Sequence, residues 1–402
     1  MPAPGQTPFG SIDCSNRWAG IMSLVGDWSY PTTIRLGAGR IQELGDACDS
    51  VGIHKPLLVT DRILANLSIT QRVLGLLEKS GCGSSLFTEI EPNPTDTNLE
   101  AGIYTFKKGD HDGIVALGGG SALDLGKLIA FMAYQTRPVW DFEDVGDNWT
   151  RANAAVIPPI VAVPTAAGTG SEVGRAGVII NSREQVKKII FHPKILPSIA
   201  ICDPELTVGM PLNITVGTGM DAFIHCLEAF SSPLYHPMCQ GIALEGMRLV
   251  KKHLPLVVAD ANNIESRAHM MSAAAMGAVA FQKGLGAIHA ISHSVGVLYN
   301  THHGMTNAVV MPSVLALNKR AIENRISKAS AYLGIKGGFD GFYNFVLEFR
   351  RTLGIPDKLR ELGVGHDRVE QMTEMALSDP SGHSNPIPLN RGNVMELFAA
   401  CI

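Results

Sequence analysis

The spacing of apolar positions changes character once along the chain. From Ile34 to about Asp203, short apolar runs alternate with stretches of helical period. The runs are Pro56–Thr60, Ser85–Thr88, Gly113–Leu117, Ile160–Val163 and Ile199–Cys202; helical stretches fall near 38–50, 62–80, 97–109 and 121–134. Short apolar strands separated by helices predict a parallel sheet covered on both faces. After about Leu206 the strand-like runs stop, and helical patterning continues through 211–230, 237–258, 265–282, 284–299 and 305–318 and on to Ala400. The pattern divides the chain into an extension of little periodicity (1–30), an α/β domain (31–205) and an all-α domain (206–402). A ligand cleft between the two domains is the default expectation.

Composition adds exclusions. The 402 residues are 46% hydrophobic and 17% charged, as in a compact globular protein. A net charge of −4 without a basic block argues against nucleic acid as a partner. No apolar run has membrane-spanning length, and the N-terminus lacks a basic segment followed by an apolar one, so the expected location is the cytoplasm. The seven cysteines form no Cys-x-x-Cys, which fits a reducing compartment.

Asp221, His225, His289 and His303 are the most informative polar residues. Three imidazoles and one carboxylate make a borderline donor set suited to a divalent transition metal. Asp221 and His225 are four apart, hence on one face of a helix, and His289 and His293 have the same relation. His303 follows His289 by fourteen residues. In one straight helix that is about 21 Å, too far for two donors that each approach an ion to about 2 Å. If both bind, the chain must turn back between them, and Tyr299-Asn300-Thr301 is the place for it. A single histidine at helical spacing is more often packing than ligand; it is the set that favours a metal.

Two glycine-rich turns follow candidate strands. Val115 to Lys127 reads strand, Gly118-Gly-Gly turn, helix, in which backbone N–H groups and a helix N-terminus could meet a phosphate. A tight turn without a ligand is the competing reading, and no Gly-x-Gly-x-x-Gly or Walker A pattern is present. The second loop, Val163 to Glu172, is dense in hydroxyls and glycines. Asp61 ends an early strand, where a carboxylate either hydrogen-bonds a ribose diol or caps a helix.

These segments together resemble the iron-containing (group III) alcohol dehydrogenases over residues 30 to 400. The carriers are Gly118-Gly-Gly-Ser121 with Asp124 and Lys127, Pro164 to Glu172, Gly219-Met-Asp-Ala-Phe-Ile-His225 and His289 to Gly304, in the family's order. The resemblance implies an N-terminal dinucleotide-binding domain with a Rossmann-like parallel sheet and an all-α C-terminal domain. It implies Asp221, His225, His289 and His303 as iron ligands, with Zn2+ as the alternative ion. It implies a cofactor set of Asn93, Gly119, Gly120, Ser121, Asp124, Thr165, Thr169 and Lys188, with Asp61 pointing to NAD over NADP. His293 matches a histidine near the nicotinamide and is the candidate proton relay.

The implied activity is hydride transfer between NAD(H) and a small alcohol or aldehyde, with the metal polarising the oxygen. A homodimer or larger assembly is expected. The alternatives are a hydroxyacid–oxoacid transhydrogenase of the same family, a metallohydrolase and a non-catalytic nucleotide binder. Phe142, Phe281 and Asp379 to Asn385 are candidates for the substrate end.

Overall fold

The computed structural model describes residues 32–184 and 186–402; the expected extension, 1–30, lies outside them. In the first half, strands and helices follow as β1 (Thr33–Leu36), α1 (Leu44–Ser50), β2 (Pro56–Val59), α2 (Arg62–Ala65), α3 (Ser68–Lys79), β3 (Ser85–Phe87), α4 (Asp96–Lys108), β4 (Gly113–Gly118), α5 (Gly120–Met132), β5 (Ile160–Pro164), β6 (Ala176–Asn181), β7 (Val186–Phe191) and β8 (Ile199–Cys202). Six of these strands form one parallel sheet in the order β1-β8-β5-β4-β2-β3. The five expected strands are its interior and far edge. The sequence pattern did not reveal β1, nor the separate antiparallel hairpin of β6 and β7, in which Ile180 pairs with Lys187.

The sheet is covered on both faces, and strand alternation assigns each side chain its core. Leu57, Ile114, Ala116, Ile160 and Ala162 pack on one side with Phe106 and Phe131. Leu58, Val115, Leu117, Val161 and Val163 pack on the other with Leu44, Val73 and Leu77. This two-sided burial is why the strands read as unbroken apolar runs. The chain runs outward from β2 to β3 and returns to β4 on β2's other side. The carboxyl ends of β2 and β4 therefore flank a topological switch point, the usual ligand crevice of such sheets.

The second half is helical: α6 (Leu212–Ser231), α7 (Pro237–Ala259), α8 (Ile264–Ala280), α9 (Ala287–Tyr299), α10 (His303–Tyr332), α11 (Gly338–Thr352), α12 (Val369–Ser378) and α13 (Arg391–Cys401). Almost every residue of α6 from Thr215 to Ser231 is buried, so it is the central helix. Asn300 closes α9 in the left-handed conformation, φ 51°, and three residues later α10 begins at His303. This is the reversal that the spacing of His289 and His303 requires. None of the described helices is long and apolar enough to cross a membrane.

Candidate active site

The site lies where α6, α9 and α10 meet. Gly304 makes the meeting close: a Cβ there would stand 2.0 Å from the Gly217 carbonyl oxygen. Without side chains at the contact, the start of α10 lies against α6 one turn before Asp221. Three imidazole Nε2 atoms then face Asp221 Oδ1: His303 at 3.5 Å, His289 at 3.7 Å and His225 at 3.8 Å. Donors sharing one ion at about 2.1 Å in a tetrahedral shell stand about 3.4 Å apart, so the spacing fits a single metal. Asp221, His289 and His303 have donor atoms all within 4.8 Å of one another. His225 stands farther out, its ring stacked on His289 at 4.7 Å between centroids and edge-on to Phe281.

The surroundings set which nitrogen offers its lone pair. His289 Nδ1 is 2.6 Å from Glu228 Oε2, and Glu228 Oε1 accepts from Ile288 N at 2.8 Å. A carboxylate can only accept, so His289 donates from Nδ1 and its Nε2 lone pair faces inward. Ser292 Oγ donates to the His289 carbonyl and lies 3.4 Å from His303 Nδ1, the same arrangement in weaker form. Burial opposes ionisation of Asp221, but the surrounding imidazoles outweigh it and hold the carboxyl far below its ordinary range. Burial pulls His225 down to about 4 and His303 well below the usual imidazole value. For His289 burial acts in the same sense, but Glu228 and Asp221 prevail and raise it to about 9.

From this corner a cleft of about 1740 Å³ runs to the sheet's switch point. Asp61, Asn93, Gly119, Gly120, Ser121, Asp124, Thr165 and Thr169 line it, together with His293 and the four metal-type residues. Asp61 serves a local purpose as well: its Oδ1 accepts from Ile63 N and Leu64 N and caps α2. Gly118 has φ +147°, and a Cβ on Gly120 would meet the Thr169 methyl at 2.7 Å, so the turn into α5 needs glycine at both positions. Asp124 is already satisfied by Ser171 Oγ, Val178 N and Lys127, and ties α5 to the loop after β5. Asn93 Nδ2 donates to Asn300 Oδ1 at 2.7 Å, joining the two halves across the cleft.

His293 Nδ1 pairs with Asp379 Oδ2 at 2.9 Å, and its ring stacks on His303 at 5.3 Å. Lys188 does not join the cleft. Strand alternation turns it to Glu143 and Glu184, at 3.1 and 3.0 Å. Lys187 faces the cleft instead. Burial draws its ammonium down to about 8 against the pull of Asp379, Asp124 and Asp221. Phe142 is also elsewhere, fully buried in the sheet core with its ring 4.9 Å from Phe131. Phe281 and Pro380, Ser381 and Ser384 of the 379–385 segment do line the cleft. The sequence reading missed Glu228, Asn307 and Lys187. The first two had a signal, since Glu228 follows His225 by three residues and Asn307 follows His303 by four.

Comparison with known proteins identifies the family. The family description "Iron-containing alcohol dehydrogenase" matches residues 31–204, and "Fe-containing alcohol dehydrogenase family, C-terminal" matches 215–402. The 4-hydroxybutyrate dehydrogenase of Cupriavidus necator is 36% identical, covering 89% of this chain and 94% of its own. The NAD-dependent methanol dehydrogenase of Bacillus methanolicus is 34% identical with the same coverage. The crystal structure of a 1,3-propanediol oxidoreductase superposes with a TM-score of 0.89 at 34% identity, covering 94% of this chain and 99% of that one. The chain belongs to the iron-containing alcohol dehydrogenase family and is an alcohol oxidoreductase.

Proposed function

We propose that the protein is an NAD(H)-dependent dehydrogenase of small alcohols, with a divalent ion, iron by family, held by Asp221, His225, His289 and His303. The observation that carries this is the single cleft joining those donors to the glycine turn and Asp61. When bound, the ion supplies Lewis acidity to the substrate oxygen and NAD accepts the hydride.

The chain's own residues supply the rest. The N-terminus of α5 and the backbone of Gly119 and Gly120 hold the pyrophosphate. The Asp61 carboxylate receives a ribose diol and disfavours a 2′-phosphate. Thr165 and Thr169 lie between that end and the metal donors. Glu228 holds the Nδ1 proton of His289, so that it is the Nε2 proton that an ion would displace and the Nε2 lone pair that it would meet. His293, donating from Nδ1 to Asp379, keeps Nε2 free to take the alcohol proton and pass it outward. Burial resists ionisation of Asp379, but His293 and the hydrogen bonds with Ser381 keep it below the ordinary carboxylate range, ready to support an imidazolium. Primary alcohols, diols and ω-hydroxyacids are the substrate classes, after the relatives' names.

Fluorescence titration with NADH, followed by NAD+ reduction across a panel of these alcohols with metal analysis of the same sample, tests the reading. Saturable NADH binding with alcohol-dependent, metal-dependent reduction is expected. Failure to bind NADH overturns the assignment of NAD(H) to this cleft. Binding without NAD+ reduction on any alcohol leaves the transhydrogenase, which turns over once a second carbonyl substrate is added, or a nucleotide binder, which does not.

A further inference from the structure

Among the described residues, the lysines and arginines that line the cleft are Arg62, Arg72, Lys127, Arg175 and Lys187. Arg62 follows Asp61 at the ribose end. Arg72 lies 3.5 Å from Glu205, and Lys127 lies 3.1 Å from Asp124. Lys187 stands in the field of Asp379, Asp124 and Asp221. Arg175 is held differently, by neutral groups. Its Nη2 donates to Gln282 Oε1 at 3.3 Å, and its guanidinium carbon lies 5.3 Å from the centre of the Phe191 ring. Burial lowers its pKa, and Asp144, on an exposed stretch, offsets only part of that. A half-buried cation on a cleft wall is thus oriented by an amide and an aromatic face.

The backbone places this cation near the reacting end. Strand alternation turns Lys187, Ile189 and Phe191 of β7 into the cleft, and Ala176, which follows Arg175, pairs with Phe191. Gln282 then ties the guanidinium to the donor corner. The residue before it, Phe281, has its ring edge-on to His225 at 5.2 Å, and both residues line the cleft. Consecutive Cα atoms are about 3.8 Å apart, so one residue's spacing separates the contact with His225 from the contact with Arg175. A hydroxyl at the donor corner and an anion at Arg175 can therefore belong to one short molecule. The planar guanidinium matches a carboxylate, which it can meet through two parallel N–H groups. Resting on the dehydrogenase reading above, we propose that Arg175 is the carboxylate anchor of this site and that its alcohol is a short ω-hydroxycarboxylate. The hydroxyl carbon gives its hydride to NAD+ and the hydroxyl its proton to solvent, leaving an aldehyde; the carboxylate takes no part in the redox step. Gln282 is a positioning residue for the guanidinium.

The test compares 4-hydroxybutyrate with its carboxamide, a neutral compound of the same shape, in wild-type, Arg175→Leu and Arg175→Lys proteins. The wild type should favour the acid over the amide in kcat/KM by about ten- to hundredfold, the worth of a hydrogen-bonded charge. That preference should vanish in the leucine variant, mainly through KM, since the anchor holds substrate and transition state alike. The lysine variant keeps the charge without the fork and should recover part of it. A wild type that oxidises acid and amide equally well overturns the assignment and leaves the proposed function intact, whether or not the variants fold. So does a leucine variant that keeps the preference, or one that loses NADH affinity, which would give the guanidinium to the cofactor instead. A wild type that reduces NAD+ with neither compound nor any other alcohol overturns both readings.

Discussion

Glu228→Gln is the smallest change that separates the metal's support from its donors. Glu228 spends one oxygen on His289 Nδ1 at 2.6 Å and the other on Ile288 N at 2.8 Å. Both partners are N–H groups, and all three residues are buried. Glutamine has the same shape but only one carbonyl oxygen, so one of the two contacts becomes donor against donor. If the amide keeps Ile288, its NH2 faces His289 Nδ1. His289 must then move its proton to Nε2, which withdraws a lone pair from the donor set. If the amide keeps His289, the first turn of α9 loses an acceptor, and the helix carrying His289 shifts. Substitutions of this outer kind cost about ten- to hundredfold in metal affinity, or about 1.4–2.8 kcal/mol. Chelator competition with Zn2+ or Fe2+ on the purified variant reads this directly, and turnover at saturating metal shows whether activity returns with occupancy. An E228Q protein with wild-type metal affinity would refute the tautomer argument.

Three further outcomes follow from particular contacts. Asp61→Ser keeps a side-chain oxygen to cap α2 but removes the charge facing the ribose, so the ratio of kcat/KM for NADP to that for NAD should rise severalfold; an unchanged ratio would remove Asp61 from cofactor choice. Gly304→Ala forces α10 from α6, at about 1–3 kcal/mol of stability, and should loosen metal binding in the same protein; a wild-type Tm would show that the helices have room to give. Burial raises the Glu172 carboxyl from 4.5 to about 7, opposed by Lys127. Its folded-state value lies above the unfolded one, so the destabilisation is absent below about pH 4.5 and complete above about pH 7, on the order of 3 kcal/mol. Glu172→Gln should therefore gain stability over the wild type as pH rises from 5 to 8 in urea melts, and a pH-independent difference would contradict this.

The meeting of Asp221, His289 and His303 was legible because two physical rules bear on it: i,i+4 spacing shares a helix face, and fourteen helical residues are too long for one ion. Their combination required a reversal, and Asn300 supplies it. Glu228 and Asn307 obey the same spacing but were not singled out, since a Glu or Asn on a helix is solvated by default and only the packing of α6 and α10 shows that both are buried. Lys188 and Lys187 show the cost of an unseen strand. Which lysine faces the cleft depends on the register of the β6–β7 hairpin, and that hairpin stands apart from the parallel sheet whose pattern dominates the first half. β1 escaped because it is an edge strand of four residues, largely exposed, with no continuous apolar run. Phe142 ends a four-residue 3-10 helix, Val139–Phe142, in the long stretch between α5 and β5 that holds only such short turns, where sequence pattern places no side chain.

The most direct test of the account is His289→Ala, with metal content and alcohol-dependent NAD+ reduction measured on the same preparation. The account predicts that the ion and the turnover disappear together, while NADH still binds at the distant glycine turn. Full turnover in a metal-free His289→Ala protein would contradict it.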